Sequence, residues 1–160
     1  MLPQEESTAK ETLPRLVVDA MLGRLAHWLR LMGYDTKYWS TGSDTALVGF
    51  ARAEGRLIVT NDHQLAGRRG VDALLVEAEV LEQQIQEVRA ALGGQPQPFT
   101  RCPECNGLLA DLAHAAAQDL VPPYVWQTQS AFRRCAECGR VYWKGTHWPA
   151  MWARLSGEDP

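Results

Sequence analysis

Two sets of residues in this chain could hold metal ions, and they suit different ions. The first is three aspartates: Asp19 in "VVDA", Asp44 in "SDTALV" and Asp62 in "IVTND". The second is all four cysteines of the chain, paired as Cys102-x-x-Cys105 and Cys135-x-x-Cys138 with 29 residues between the pairs. Thiolates are soft ligands, and zinc takes four of them in a tetrahedron. A CxxC turn presents two from one tight loop, so two such turns complete a site. Gly107 and Gly139, just after each pair, would let the backbone turn back into a strand. The competing readings are two disulfides or four unliganded thiols. A closed four-thiolate site leaves no position for substrate, so its zinc is structural. It would hold together a segment of roughly 55 residues, too small to bury an adequate core alone.

The chemistry is then sought among the aspartates. Carboxylate oxygens are hard donors that suit Mg²⁺ or Mn²⁺. Converging carboxylates repel one another, and divalent cations relieve that repulsion. Two such ions about 3.5–4 Å apart can clamp a phosphodiester for in-line attack by water. Each aspartate also has a structural reading. Asp44 could favour a helix N-terminus, and Asp62 could cap the turn "TNDHQ". Asp19 is harder to explain that way, because it ends an apolar strand and is followed by Ala20 and Met21. Other strand-end aspartate chemistries fit less well. A haloacid-dehalogenase-type phosphatase wants a second Asp where Met21 stands, and a receiver domain wants an acidic pair that is missing. There is no P-loop and no GxGxxG.

The elements that must position these residues follow from periodicity. "RLVVDA" (15–20), "RLIVTND" (56–62) and "VDALLVE" (71–77) are short, apolar, β-branched runs that predict buried strands, and "YDTKYW" (34–39) has strand-like composition. Between them, Leu22, Leu25, Leu29 and Met32 recur at helical spacing up to Gly33, and Ser43 opens a second helix that Gly55 stops. A further amphipathic helix covers 80–92. Continuous apolar strands alternating with helices indicate a parallel sheet covered on both faces. In such a sheet, sites lie at the C-terminal strand ends, where Asp19, Asp62 and, if the sheet is parallel, Asp44 fall. The expected division is a tail at 1–13, an α/β domain at 14–93, a linker at 94–99 and a four-cysteine ribbon at 100–156.

Composition limits the partners. The net charge is −3. Residues 1–100 carry 10 basic and 13 acidic side chains, and residues 101–160 carry six of each, so the acidic excess belongs to the α/β part. Charge alone would not hold nucleic acid; it must be gripped locally or through bound cations. No run reaches the ~18 apolar residues of a membrane span, and the polar start "MLPQEESTAK" has no signal-peptide core. The expectation is a cytoplasmic protein, where paired cysteines are metal ligands rather than disulfides.

"VVDAMLGRLAHWLRLMGYDT", then "EGRLIVTND", then a ribbon ending "CGRVYWKGTHW", resembles the Mut-seven C-terminal RNase family of PIN-like nucleases over roughly residues 15–155. The resemblance implies a PIN-like three-layer α/β/α sandwich with a parallel sheet. It also implies RNA cleavage with Mg²⁺ or Mn²⁺ held by acidic residues, which match Asp19, Asp44 and Asp62. Many PIN nucleases have a fourth acidic residue; Asp35 and Glu77 are the candidates, each with a structural alternative. Arg24, just past Asp19, could meet a substrate phosphate or stand as an ordinary exposed arginine. Arg30 reads as a surface or salt-bridge residue, His63 as a loop histidine beside Asp62, and His27 and His114 as structural or exposed. Arg133, Arg134, Arg140 and Lys144 interleave with Phe132, Tyr142, Trp143 and Trp148, a mixture that suits single-stranded RNA. The tryptophans could instead join the ribbon to the α/β part. The functional expectation is a metal-dependent ribonuclease. The alternative is a non-catalytic adaptor on a degenerate scaffold, its ribbon binding RNA or protein.

Overall fold

The computed structural model describes residues 12–157, so most of the expected tail at 1–13 lies outside the described residues. Four strands, β1 (Arg15–Asp19), β2 (Thr36–Trp39), β3 (Arg56–Thr60) and β4 (Ala73–Leu75), form one sheet in the order β2-β1-β3-β4. Every neighbouring pair is parallel. The crossovers carry α1 (Gly23–Met32), α2 (Asp44–Glu54) and the short α3 (His63–Ala66), with α4 (Leu81–Leu92) after the last strand.

Alternation along the strands explains the three layers. Leu16 and Val18 of β1 point into a core shared with Leu25 and Leu29 of α1 and with Ile85 and Val88 of α4. Val17, between them, faces the other side, against Leu47, Val48 and Ala51 of α2 and Leu65 of α3. Ile58 and Val59 of β3 divide the same way. A sheet buried on both faces has no polar side to show, which is why these strands read as unbroken apolar runs. Ser43 accepts from the Ala46 N–H at 3.1 Å and starts α2, as expected of an N-cap. Gly33 ends α1 at φ +103°, and a Cβ there would lie 2.0 Å from the Gln97 carbonyl oxygen. Segment 94–99 thus runs directly over the end of α1, where the Phe99 N–H donates to the Leu31 carbonyl at 2.8 Å.

The C-terminal part is a three-stranded antiparallel sheet of β5 (Leu109–Leu112), β6 (Phe132–Cys135) and β7 (Val141–Tyr142). Two short helices, α5 (His114–Ala117) and α6 (Pro123–Thr128), fill the long connection from β5 to β6. The chain then returns. Helix α7 (Trp148–Ser156) lies on α4, and its Leu155 is buried in the core of the first sheet. Trp148 stacks on Trp152 with ring centres 5.8 Å apart and meets the Phe99 ring edge-on. Trp152 and Met151 pack against the same core, so this end of the chain does join the two parts.

A polar junction joins them at a second place. Asn106 accepts from the Thr36 N–H at 2.9 Å and donates to Asp35 at 2.9 Å. Asp35 also pairs with Arg56 at 2.8 Å and lies 3.6 Å from Arg101. Arg30, expected as a surface or salt-bridge residue, is buried and forms no salt bridge among the described residues. Its guanidinium donates to the carbonyls of Thr36, Pro103 and Glu104, tying α1 and β2 to the loop inside the first cysteine pair. Three backbone acceptors satisfy the guanidinium, which makes its burial tolerable. The junction lies where β2 begins and α1 ends, the sheet edge opposite the C-terminal ends of β1 and β3.

Candidate functional site

The cysteine site is assembled by two turns. The four Sγ atoms lie within 4.8 Å of one another, the only such cluster of candidate metal ligands among the described residues. Cys102 is 3.7 Å from Cys138, and Cys105 is 3.4 Å from Cys135. These separations exceed a ~2.05 Å disulfide bond. They approach the about 3.8 Å edge of a tetrahedron with 2.3 Å zinc–sulfur bonds. The four cysteines could therefore hold a zinc ion. Two features tune the thiols. The Arg140 backbone N–H brings Cys138 down to about 6, while burial pushes Cys105 up to about 12. Loading a cation there releases the remaining thiol protons.

The turn after the first pair differs from expectation. Asn106, not Gly107, takes the left-handed conformation at φ +67°, matching Gly139 at φ +76° after the second pair. Asparagine tolerates that region because its short polar side chain bonds locally. Gly107 serves space instead: a Cβ there would come within 2.8 Å of Cys135 Sγ. Tyr142 places its hydroxyl 3.0 Å from Cys102 Sγ, a second layer of support for the site.

The carboxylates lie at the other edge of the sheet. Asp19 ends β1 and caps a 3-10 turn at Ala20–Leu22, Oδ1 accepting from the Ala20 N–H at 2.7 Å. The Tyr38 hydroxyl donates to the Ala20 carbonyl at 2.7 Å and holds that turn. Asp62 caps α3, Oδ1 accepting from the N–H groups of Gln64 and Leu65. Between them stands Thr60, fully buried at the end of β3. Its hydroxyl donates to Asp19 Oδ2 at 2.9 Å and accepts from the Asp62 N–H at 3.0 Å. One side chain therefore fixes both strand-end aspartates. Because the sheet is parallel, Asp44 falls at this edge too, at the start of α2, where it pairs with Arg68 at 3.2 Å. The donor set is the oxygen-only kind that hard divalent cations take. Its three carboxylates are held by separate local bonds and do not converge as the cysteines do.

The other expected residues divide between the two edges. Asp35 belongs to the junction. Burial raises its carboxyl, but hydrogen bonds from Arg56 and Asn106, with the charges of Arg101 and Arg56, outweigh that and hold it below the usual range. Glu77 follows β4 at the carboxylate edge, 4.0 Å from His63. Arg24 is exposed on the first turn of α1 and donates no hydrogen bond among the described residues. Arg133 donates to the Phe99 carbonyl at 2.8 Å and pairs with Asp111 at 3.1 Å, while Trp143 meets Phe132 edge-on within the ribbon's small core. His27 lies 3.7 Å from Glu104, and His114 stacks on Trp126.

The model of the Mut7-C RNAse domain matches residues 14–155, nearly the whole chain. The chain belongs to the Mut7-C RNase family. No curated protein and no solved structure matches it. Membership of this RNase family points to a nuclease-like function and makes RNA the natural substrate class. The family match takes in both the carboxylate edge and the cysteine site. No helix among the described residues is long and apolar enough to cross a membrane.

Three residues that matter here carried little signal in the sequence. Thr60 looks like one more β-branched strand residue until its hydroxyl is seen between the Asp19 carboxylate and the Asp62 backbone N–H. Asn106 gains meaning only from a partner 70 positions earlier. Tyr142 could have been suspected, since it lies four residues after Cys138 in a strand-like run.

Proposed function

We propose that this protein is a divalent-metal-dependent ribonuclease whose active edge is Asp19, Asp44 and Asp62. The observation that carries the reading is the Thr60 hydroxyl, which ties Asp19 and Asp62 together at the strand ends of an RNase-family chain. Asp19 offers its carboxylate from a turn pinned by Tyr38, and Asp62 from a helix cap, so both are oriented before any ligand arrives. Asp44 would join them by releasing Arg68, and Glu77 would serve as a fourth carboxylate. Mg²⁺ or Mn²⁺ bound here would supply a water nucleophile and stabilise charge on the phosphoryl oxygens. Arg24, exposed beside this edge, would hold an RNA phosphate bidentately. The four cysteines would hold structural zinc, kept available as thiols by a reducing cytoplasm, and the ribbon would help grip RNA through Arg133 and Trp143.

The test is cleavage of single-stranded and structured RNA in Mn²⁺ by zinc-loaded protein. Asp19→Asn should lower the rate at least about a hundred-fold, since support partners of metal ligands alone are worth ~10–100-fold. Equal cleavage by the variant would refute the assignment. A second reading is an adaptor without catalysis. It is favoured by the Asp44–Arg68 ion pair and by the use of Asp62 as a helix cap, which give both carboxylates structural work. An adaptor would bind RNA or protein through the ribbon and cleave nothing.

A further inference from the structure

We propose that the C-terminal part carries a nucleobase-stacking cleft for single-stranded RNA, joined to the carboxylate edge by a track past Arg24. It deepens the ribonuclease reading and rests on it. The cleft, about 330 Å³, opens between α6 and the start of α7 and is walled by Tyr124, Trp143, Trp148 and Met151. Tyr124 is the key observation. Its side chain makes no hydrogen bond among the described residues, and the residue is 74% exposed, a large ring standing in water. Trp148 opposite is rigid, braced by Trp152 and Phe99. The Lys144 ammonium lies over the Phe99 and Trp148 rings, 5.4 and 5.6 Å from their centres, which puts a positive charge at this aromatic cluster. An exposed ring beside a braced aromatic cluster that carries a cation is the combination that holds an unpaired base and its phosphate.

The cleft also leads somewhere. His147 and Met151 line it and line a second cleft of about 370 Å³, whose far wall includes Arg24 and Trp28. Arg24 is five residues beyond Asp19 and on the turn of α1 nearest the carboxylate edge. A strand with a base in the aromatic cleft could therefore pass His147 and Arg24 and deliver a phosphate several nucleotides away to the carboxylates. The C-terminal 60 residues carry no net charge, so stacking must supply the grip there. Stacking is tolerant of base identity because every base has a π-face. The site would select unpaired nucleotides rather than a sequence.

The experiment uses zinc-loaded Asp19→Asn/Asp62→Asn protein, so that binding is read without cleavage. Fluorescence anisotropy with single-stranded oligonucleotides of increasing length, from a dinucleotide upward, should show a step in affinity once the strand spans both clefts. Adding Tyr124→Ala should weaken binding of the long strands roughly ten-fold and abolish the step. Tyr124→Trp should keep it, and a duplex of equal length should show no step for any variant. Circular dichroism and zinc content check that each variant is folded; the exposed position of Tyr124 favours this. Affinity for long single strands unchanged by both Tyr124→Ala and Lys144→Gln would overturn the proposal. A step that survives Tyr124→Ala would also overturn it. Failure of the ribonuclease reading shows separately, as wild-type protein that has this step yet cleaves no RNA.

Discussion

The two sheet edges treat their candidate metal ligands in opposite ways. The four cysteines converge on one point from two turns, Cys102 and Cys135 buried, Cys105 half-buried and Cys138 exposed. The three aspartates sit partly exposed at the other edge, each held by bonds of its own: Asp19 by Ala20 and Thr60, Asp62 by the start of α3, Asp44 by Arg68. The cysteine site is finished by the fold and closed to substrate. The carboxylates are oriented by local bonds and left partly exposed. The two sets thus differ in how completely the fold gathers and satisfies each ligand.

The largest effect that would break this comparison is loss of the thiolate site. Chelation or Cys135→Ser should withdraw metal-linked free energy on the order of 10 kcal/mol from the C-terminal part. Hydrogen exchange should then show β5, β6 and β7 unprotected, while β1 and β3 keep their protection. Equal loss in both sheets would mean that the edges are not independent.

Next comes the junction. Asn106→Ala leaves the Thr36 N–H without its acceptor and should destabilise the protein by about 1–3 kcal/mol in urea titrations. The junction also sets a pH response. Asp35 is depressed in the folded state, so its contribution is full above the ordinary carboxyl value of about 3.9 and is lost as pH falls through the lower folded value. Acid unfolding should therefore steepen below about pH 4 in the wild type, and Asp35→Asn should remove that part of the slope.

A sharper contrast comes from the two supporting hydroxyls. Thr60→Val should lower metal-dependent cleavage about 10–100-fold without changing zinc content, and Thr60→Ser should restore it. Tyr142→Phe should do the reverse and less: zinc affinity, read by competition with a chromophoric chelator, should fall by roughly ten-fold while cleavage in saturating zinc is kept.

The sequence displayed the sheet well because burial on both faces leaves no polar alternation to mislead. Ser43, Gly33 and Gly55 marked helix ends through local backbone chemistry, and local chemistry is what a sequence shows. The four cysteines were equally plain, because a CxxC turn is local. Arg30 was misread because its three acceptors come from β2 and from a loop more than 70 residues away. Helix α7 was also hidden: "HWPAMWARLS" has tryptophans and a proline that suggest a ribbon end, yet Pro149 suits a first helical turn and the aromatic face docks on α4. Thr60 could not be separated from its neighbours, since its role depends on the register that sets β3 beside β1.

The central claim is that hard and soft metal sites occupy opposite edges and act independently. Manganese binding followed by electron paramagnetic resonance on zinc-loaded protein tests it most directly. Wild-type protein should bind Mn²⁺, and Asp19→Asn/Asp62→Asn should lose that binding while retaining one zinc per chain. Manganese binding unchanged in the double variant, or zinc lost along with it, would contradict the claim.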